Sequence, residues 1–229
     1  MMNNLPVFDF HTHTLLSDGV LSPVEQVRRA HVRGYAAIGI TDHAGEGELE
    51  WLLDVVVRNC DLANSRWGIT AIPGVELTHV PHEDIDRLAQ KAKRLGARLV
   101  VVHGETPVEP VVPGTDRAAV MSEHVDILAH PGFITLEECR IARENGVFLE
   151  ITARGGHNIT NGHVARMARE AGASLLVDSD AHEPGDLLTP EMFKKIALGA
   201  GFAERETPEI LDENPRALLR KLGIGSSPA

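Results

Sequence analysis

Histidines and acids recur at the ends of short apolar runs in this 229-residue chain. The segment FHTHT sets His11 and His13 two residues apart, on one face of an extended strand. ITDH ends on His43, GVEL carries Glu76, VVHGE carries His103, LAHPG carries His130, and VDSDAH carries Asp180 and His182. A single histidine at such a position is ordinarily a surface or capping residue. Apolar runs such as RLVVVH and DILAH would otherwise finish on a mixture of Ser, Thr, Asn and Gly. Six of the seven runs instead finish on a metal-ligating group, and that convergence outweighs the reading of each residue alone.

Imidazole and carboxylate together suit borderline divalent ions such as zinc, iron or manganese. Six histidines with two or three acids exceed what one ion can use, so two or three divalent ions are expected, with a carboxylate bridging neighbours. Such a site performs hydrolysis: metal-activated hydroxide attacks phosphorus while the cations stabilise charge on the phosphoryl oxygens. Other chemistries lack their motifs. No Gly-x-Ser-x-Gly elbow and no glycine-rich phosphate loop is present. The two cysteines, Cys60 and Cys139, are far apart and read as reduced core thiols.

The elements that must position these residues alternate regularly. Strands are expected at Pro6–His13, Ala36–His43, Thr70–Thr78, Arg98–Gly104, Asp126–His130, Val147–Thr152 and Ser174–Asp180. Amphipathic helices are expected at Ser22–Arg33, Glu48–Asn64, Glu83–Leu95, Leu136–Asn145, Gly162–Ala171, Pro190–Leu198 and Pro208–Lys221, with an irregular crossover at Thr106–His124. Ser22, Pro23 and Glu25 read as an N-cap, a first-turn proline and a capping box. Gly34, Gly96, Gly146 and Gly172 sit where helices end. Seven βα units without a composition break favour a closed or nearly closed barrel over an open doubly wound sheet. In either, strand-end side chains converge on one mouth.

Composition narrows the context. With 43% hydrophobic residues the chain can bury one core, and a single domain spanning 1–229 is expected, with 222–229 as a frayed tail. No run approaches a membrane span, and the start MMNNLPVFDF lacks the marks of a signal peptide, so a cytoplasmic location and no membrane partner are expected. A net charge of −11 disfavours nucleic acid as a partner.

HTHTLLSDG at 11–19, TDH at 41–43, GVE at 74–76, VHGE at 102–105, AHPG at 129–132 and SDAH at 179–182 resemble, in order and position, the polymerase and histidinol phosphatase (PHP) superfamily of phosphoesterases. The resemblance implies a distorted seven-stranded (β/α)7 TIM-like barrel with a trinuclear site. By similarity His11, His13, Glu76 and Asp180 hold one ion. Asp18, His43 and His182 hold a second, and Glu76 bridges to a third on His103 and His130. Catalytic weight falls on Glu76, Asp180 and His182. The segment VHGETPVEPVVPGT is similar to small stand-alone phosphatases of the histidinol-phosphatase-like group, which implies a small phosphorylated substrate. No polymerase segment accompanies it, so proofreading within one chain is not expected.

Around this set Arg154 reads either as a phosphate clamp or as half of a rim ion pair. Asp42 reads as an orienting residue for a ligand histidine or a helix cap, and Glu150 as a site-facing or a solvated rim carboxylate. His157 reads as a loop residue, and His31, His79, His82, His124 and His163 as surface. The rival readings are a phosphodiesterase or nuclease of the same superfamily and an amidohydrolase-type hydrolase. A non-catalytic RNA-binding barrel like the RNase P protein is disfavoured by the retained ligands and the acidic charge. Oligomeric state is not legible.

Overall fold

The computed structural model describes residues 5–225. Its sheet runs in the order β1 (Val7–Asp9), β2 (Tyr35–Ile40), β4 (Thr70–Leu77), β5 (Leu99–His103), β6 (Ile127–Ala129), β7 (Phe148–Thr152) and β8 (Leu175–Asp178). Every neighbouring pair is parallel, and sequence neighbours are neighbours in space. A two-residue strand, β3 (His43–Ala44), resumes the path of β2 against the far end of β4. The result is a single-domain, nearly closed barrel of seven parallel strand positions, the architecture expected from the alternating pattern.

Strand parity sets what faces inward. On β5, Leu99 and Val101 join the inner cluster with Phe8, Phe10, Ile72, Ile127 and Leu176, whereas Val100 and Val102 pack outward against the helices. His103, the next residue in phase with Leu99 and Val101, therefore faces the interior. The last helix, α8 (Asn214–Lys221), pushes Leu218 and Leu219 into the inner cluster and plugs the barrel floor. Truncating a side chain as buried as Leu99 costs about 2–5 kcal/mol.

The other helices cover the outer face: α1 (Pro23–Val32), α2 (Leu49–Asn64), α3 (Ile85–Arg94), α4 (Thr115–Met121), α5 (Leu136–Asn145), α6 (Asn161–Ala171) and α7 (Pro190–Gly199). Ser22 Oγ caps α1 by accepting from Glu25 N, but the Glu25 carboxylate reaches Arg29 and the box stays half-formed. A complete box forms at α5 between Thr135 and Glu138. Gly34, Gly96, Gly146 and Gly172 all take the left-handed conformation, as expected just past helix ends.

Several boundaries differ from expectation for identifiable reasons. The ladder of β1 stops at Asp9, and residues 10–13 continue extended with one bridge, Thr12 to Ala181. The second strand breaks at Thr41 and Asp42, where Thr41 N donates to Thr12 O. The last helix begins as a π-helical stretch at Glu209–Glu213. The expected tail is docked at its start: Leu222 is buried in the inner cluster and its carbonyl accepts from Arg98 Nη2, while residues 226–229 lie outside the described residues. Among the described residues no helix is long and apolar enough to cross a membrane.

Between β8 and β1 the ladder is replaced by side chains. Asp178 Oδ1 accepts from Phe10 N at 2.6 Å, and Asp9 Oδ1 accepts from Ser179 N at 3.0 Å. Both carboxyls are buried. Burial pushes Asp9 up to about 7, and burial with the neighbouring Asp9 charge raises Asp178 well above the usual range.

Candidate metal centre

Directly above this seam the expected residues meet. Thr12 turns toward β2, its Oγ1 donating to Gly39 O, so His11 and His13 on either side of it share the interior. The following loop is tied down by Asp42, whose carboxylate accepts from Thr14 N, Thr14 Oγ1, Ser17 N and Ser17 Oγ. Asp42 thus neither orients a histidine nor caps a helix; it fixes the turn that presents Asp18. Gly19 closes that turn, where a Cβ would lie 2.5 Å from His13 O.

Glu76 occupies the hub. Its Oε1 lies 3.3 Å from His11 Nε2, 3.3 Å from His103 Nδ1 and 3.5 Å from His130 Nε2. Its Oε2 lies 2.6 Å from His43 Nδ1 and 3.7 Å from His13 Nε2. Asp180 Oδ1 is 3.2 Å from His13 Nε2, and Asp18 Oδ2 is 3.1 Å from His182 Nε2. His13, Asp18, His43 and His182 offer ligand atoms within 4.8 Å of one another. So do His11, His13 and Glu76; His11, His130 and Asp180; and His43, Glu76 and His103. The nine ligand candidates are thus brought together. Their nearest groupings join His13 to the Asp18 cluster and His43, rather than His130, to Glu76 and His103.

The electrostatics fit cations. Burial opposes ionisation of Glu76, yet the charges on His11 and His43 hold its carboxyl well below the usual range. Asp180 and Asp18 are likewise held low against burial, by His11 and His13 and by His182 and His43. Burial pulls His43 and His11 down, but the surrounding carboxylates together outweigh it, Glu76 with Asp18 at His43 and Glu76 with Glu150 and Asp180 at His11: His43 is pushed up to about 10 and His11 rises well above its ordinary value. His13, crowded by burial and by His43, is pushed down to about 3. Positive charge is demanded at the hub, and the buried nitrogens His13 Nδ1, His103 Nε2 and His130 Nδ1 make no hydrogen bond. Nitrogen and oxygen donors without thiolate suit borderline divalent ions; both cysteines are buried elsewhere, in α2 and α5.

Around them Glu150 takes the site-facing of its two readings, whereas His79, Glu109 and His157 come to the site unexpectedly. Glu150 is fully buried, its Oε2 3.0 Å from His11 Nδ1 and accepting from His130 N at 3.2 Å. His157 is buried with its ring 4.5 Å from that of His130, and His79 has its ring 5.1 Å from that of His103. Glu109, on the loop after β5, reaches both histidines. Arg154 faces Asp186 at 3.6 Å, the rim-pair geometry. Strand-end position could not find His79, Glu109 or His157, because the first two stand on loops and His157 opens a short 3₁₀ turn, His157–Thr160. His31, His82, His124 and His163 belong to none of the ligand groupings.

The PHP domain profile matches residues 9–130. The chain belongs to the PHP domain family. It is 50% identical over 216 residues to an uncharacterized protein of Methanocaldococcus jannaschii, covering 94% of this chain and 99% of that protein. It is 30% identical over 241 residues to a protein of Shewanella sp. strain ANA-3 named as a probable phosphatase, covering 93% and 90%. A crystal structure described for the metal-dependent tyrosine phosphatases YwqE of Bacillus subtilis and CpsB of Streptococcus pneumoniae superposes with a TM-score of 0.57. That likeness, at 18% identity over 93% and 94% of the two chains, shows the fold alone.

Proposed function

We propose that this PHP protein is a metal-dependent phosphatase acting on small phosphomonoesters at a trinuclear centre. The observation that carries the reading is Glu76, a buried carboxylate within 3.7 Å of nitrogens from five histidines, which is the geometry of a bridging ligand. In this reading His11, His13, Glu76 and Asp180 hold one ion; Asp18, His43 and His182 a second; Glu76, His103 and His130 a third. Divalent zinc, manganese or iron bound there supplies Lewis acidity that activates water and neutralises phosphoryl charge. Glu150 orients His11, and Asp42 keeps Asp18 facing the ions.

Substrate size and charge follow from the mouth. The cleft beside the centre holds about 370 Å³ and is lined by Asp18, His43, Ala44, Gly45, Glu48, Thr78, His79 and Glu109. Such a volume suits a small ligand. Three carboxylates and no lysine or arginine line it, so an alcohol moiety that is cationic, as in an amino-alcohol phosphate such as histidinol phosphate, is favoured over an anionic one. Arg154, outside this lining, is the guanidinium available to a phosphate that reaches the rim.

Hydrolysis of small phosphomonoesters and of bis(p-nitrophenyl) phosphate, under identical loading with manganese, zinc or iron, tests the reading. Monoester turnover is expected to exceed diester turnover. Preference for the diester would move the assignment to a phosphodiesterase or nuclease, and activity on amides or aminopurines alone would move it to an amidohydrolase.

A further inference from the structure

Beside the nine ligand candidates lies a second convergence that they do not explain. Glu109 Oε2 sits 3.1 Å from His79 Nε2 and 3.1 Å from His103 Nε2, and Glu109 Oε1 sits 3.3 Å from His157 Nε2. Three imidazole nitrogens thus surround one carboxylate, delivered by the loops after β4, β5 and β7 at the face where barrel ligands bind.

We propose that His79, His103, Glu109 and His157 form an additional divalent-cation site for an ion of the zinc or manganese kind, sharing the His103 ring with the main centre. Ligand bonds of about 2.0–2.1 Å in a tetrahedron place neighbouring donors roughly 3.4 Å apart. The three nitrogen-to-carboxylate separations approach that edge; His79, His103 and Glu109 offer ligand atoms within 4.8 Å of one another, and His157 joins through the other carboxylate oxygen.

Hydrogen bonding alone does not account for the arrangement. His79 Nε2 hydrogen-bonds Glu109, but His103 Nε2, in a residue 3% exposed, points at the same carboxylate without the alignment of a hydrogen bond and has no other partner. Its Nδ1 already faces Glu76, so the ring stands between the two clusters. A rim carboxylate that merely accepts from solvated histidines contributes at most about 1 kcal/mol, too little to hold the half-exposed His79 in a left-handed backbone. Only three non-glycine residues among those described take that conformation: His79, His130 and Asp180. Two are main-centre candidates, and the third is in this cluster. The site opens into the cleft, where His79 and Glu109 form part of the wall.

The test is a count. Protein stripped with chelator is titrated with Co²⁺, with equivalents followed by calorimetry and by visible absorption. Wild type is compared with the double variant His79→Ala/His157→Ala and with Glu109→Gln, none of them main-centre candidates. Wild type is expected to bind one equivalent more than either variant, and the extra equivalent is expected to carry its own visible band. Glu109→Gln keeps the side-chain shape, so its result stands if the double variant folds poorly. Equal equivalents in wild type and Glu109→Gln would overturn the additional site while leaving the main centre standing. A wild type that binds no cobalt would overturn both.

Discussion

Glu150 Oε2 lies 3.0 Å from His11 Nδ1, two fully buried groups 139 residues apart in the chain. The carboxylate is placed to hold a proton on His11 Nδ1, which would leave Nε2, 3.3 Å from Glu76 Oε1, to a cation bound at the hub. Glu150→Gln retains an acceptor but loses the charge. Metal affinity, measured by chelator competition, is expected to fall about 10–100-fold, the scale of losing an outer-shell partner of a ligand histidine. Unchanged affinity would show that His11 needs no such support.

Glu76→Gln removes the hub charge while keeping the shape. Phosphatase activity should drop by ~10²-fold or more, with circular dichroism unchanged. Near wild-type turnover would remove Glu76 from the bridging role.

Metal removal should cost stability, because ions that bind the folded chain and not the unfolded one add about 2.7 kcal/mol at a hundredfold excess over Kd. For a domain of this size that corresponds to a Tm loss of roughly 5–10 °C on adding chelator. Scanning calorimetry with and without zinc or manganese checks it; coincident melting curves would contradict metal binding.

Asp116 gives a pH signature away from the ligands. Burial holds its carboxyl well above the usual range although Oδ1 accepts from Glu105 N at 2.8 Å, and the Glu105 charge adds to the rise. A raised folded-state value means the folded chain binds the proton more tightly. Its stabilising contribution is complete below the unfolded value of about 3.9 and is lost as pH rises through the folded one. Asp116→Asn keeps the acceptor without the charge, so its Tm relative to wild type should be higher at pH 8 than at pH 4, by about 2–4 °C per kcal/mol regained. A pH-independent difference would refute the account.

Arg154 faces Asp186, whose Oδ2 also accepts from His182 N at 3.0 Å and Glu183 N at 2.9 Å. An exposed pair contributes little to stability, so Arg154→Ala should leave Tm nearly unchanged. Steady-state kinetics on a monoester are expected to show KM rising up to about tenfold, with kcat changing less, as for loss of one charge-assisted contact to phosphate. A silent variant would confine Arg154 to the rim.

Much of the centre was legible in order along the chain, because strand parity and the C-terminal-end rule are local. An apolar run read in steps of two assigns His103 to the interior with Leu99 and Val101, whatever the rest of the barrel does. The same reasoning put His11, His13, His43, Glu76, His130, Asp180 and His182 at one mouth. The PHP motifs added Asp18, whose turn reads in sequence as an ordinary Ser-Asp-Gly.

Only the tertiary structure decided the residues that depend on contacts between distant segments. Glu150 meets His11 across the barrel, and Asp42 bonds Thr14 and Ser17 some 25 residues back. Glu109 gathers His103 from the end of β5 and His79 and His157 from the segments after β4 and β7, where no strand periodicity says which way a side chain turns. Asp9 and Asp178 close the seam because β1 and β8, the two ends of the sheet order, meet only once the barrel curls round. Local pattern governs which face a residue occupies; closure governs what it finds there.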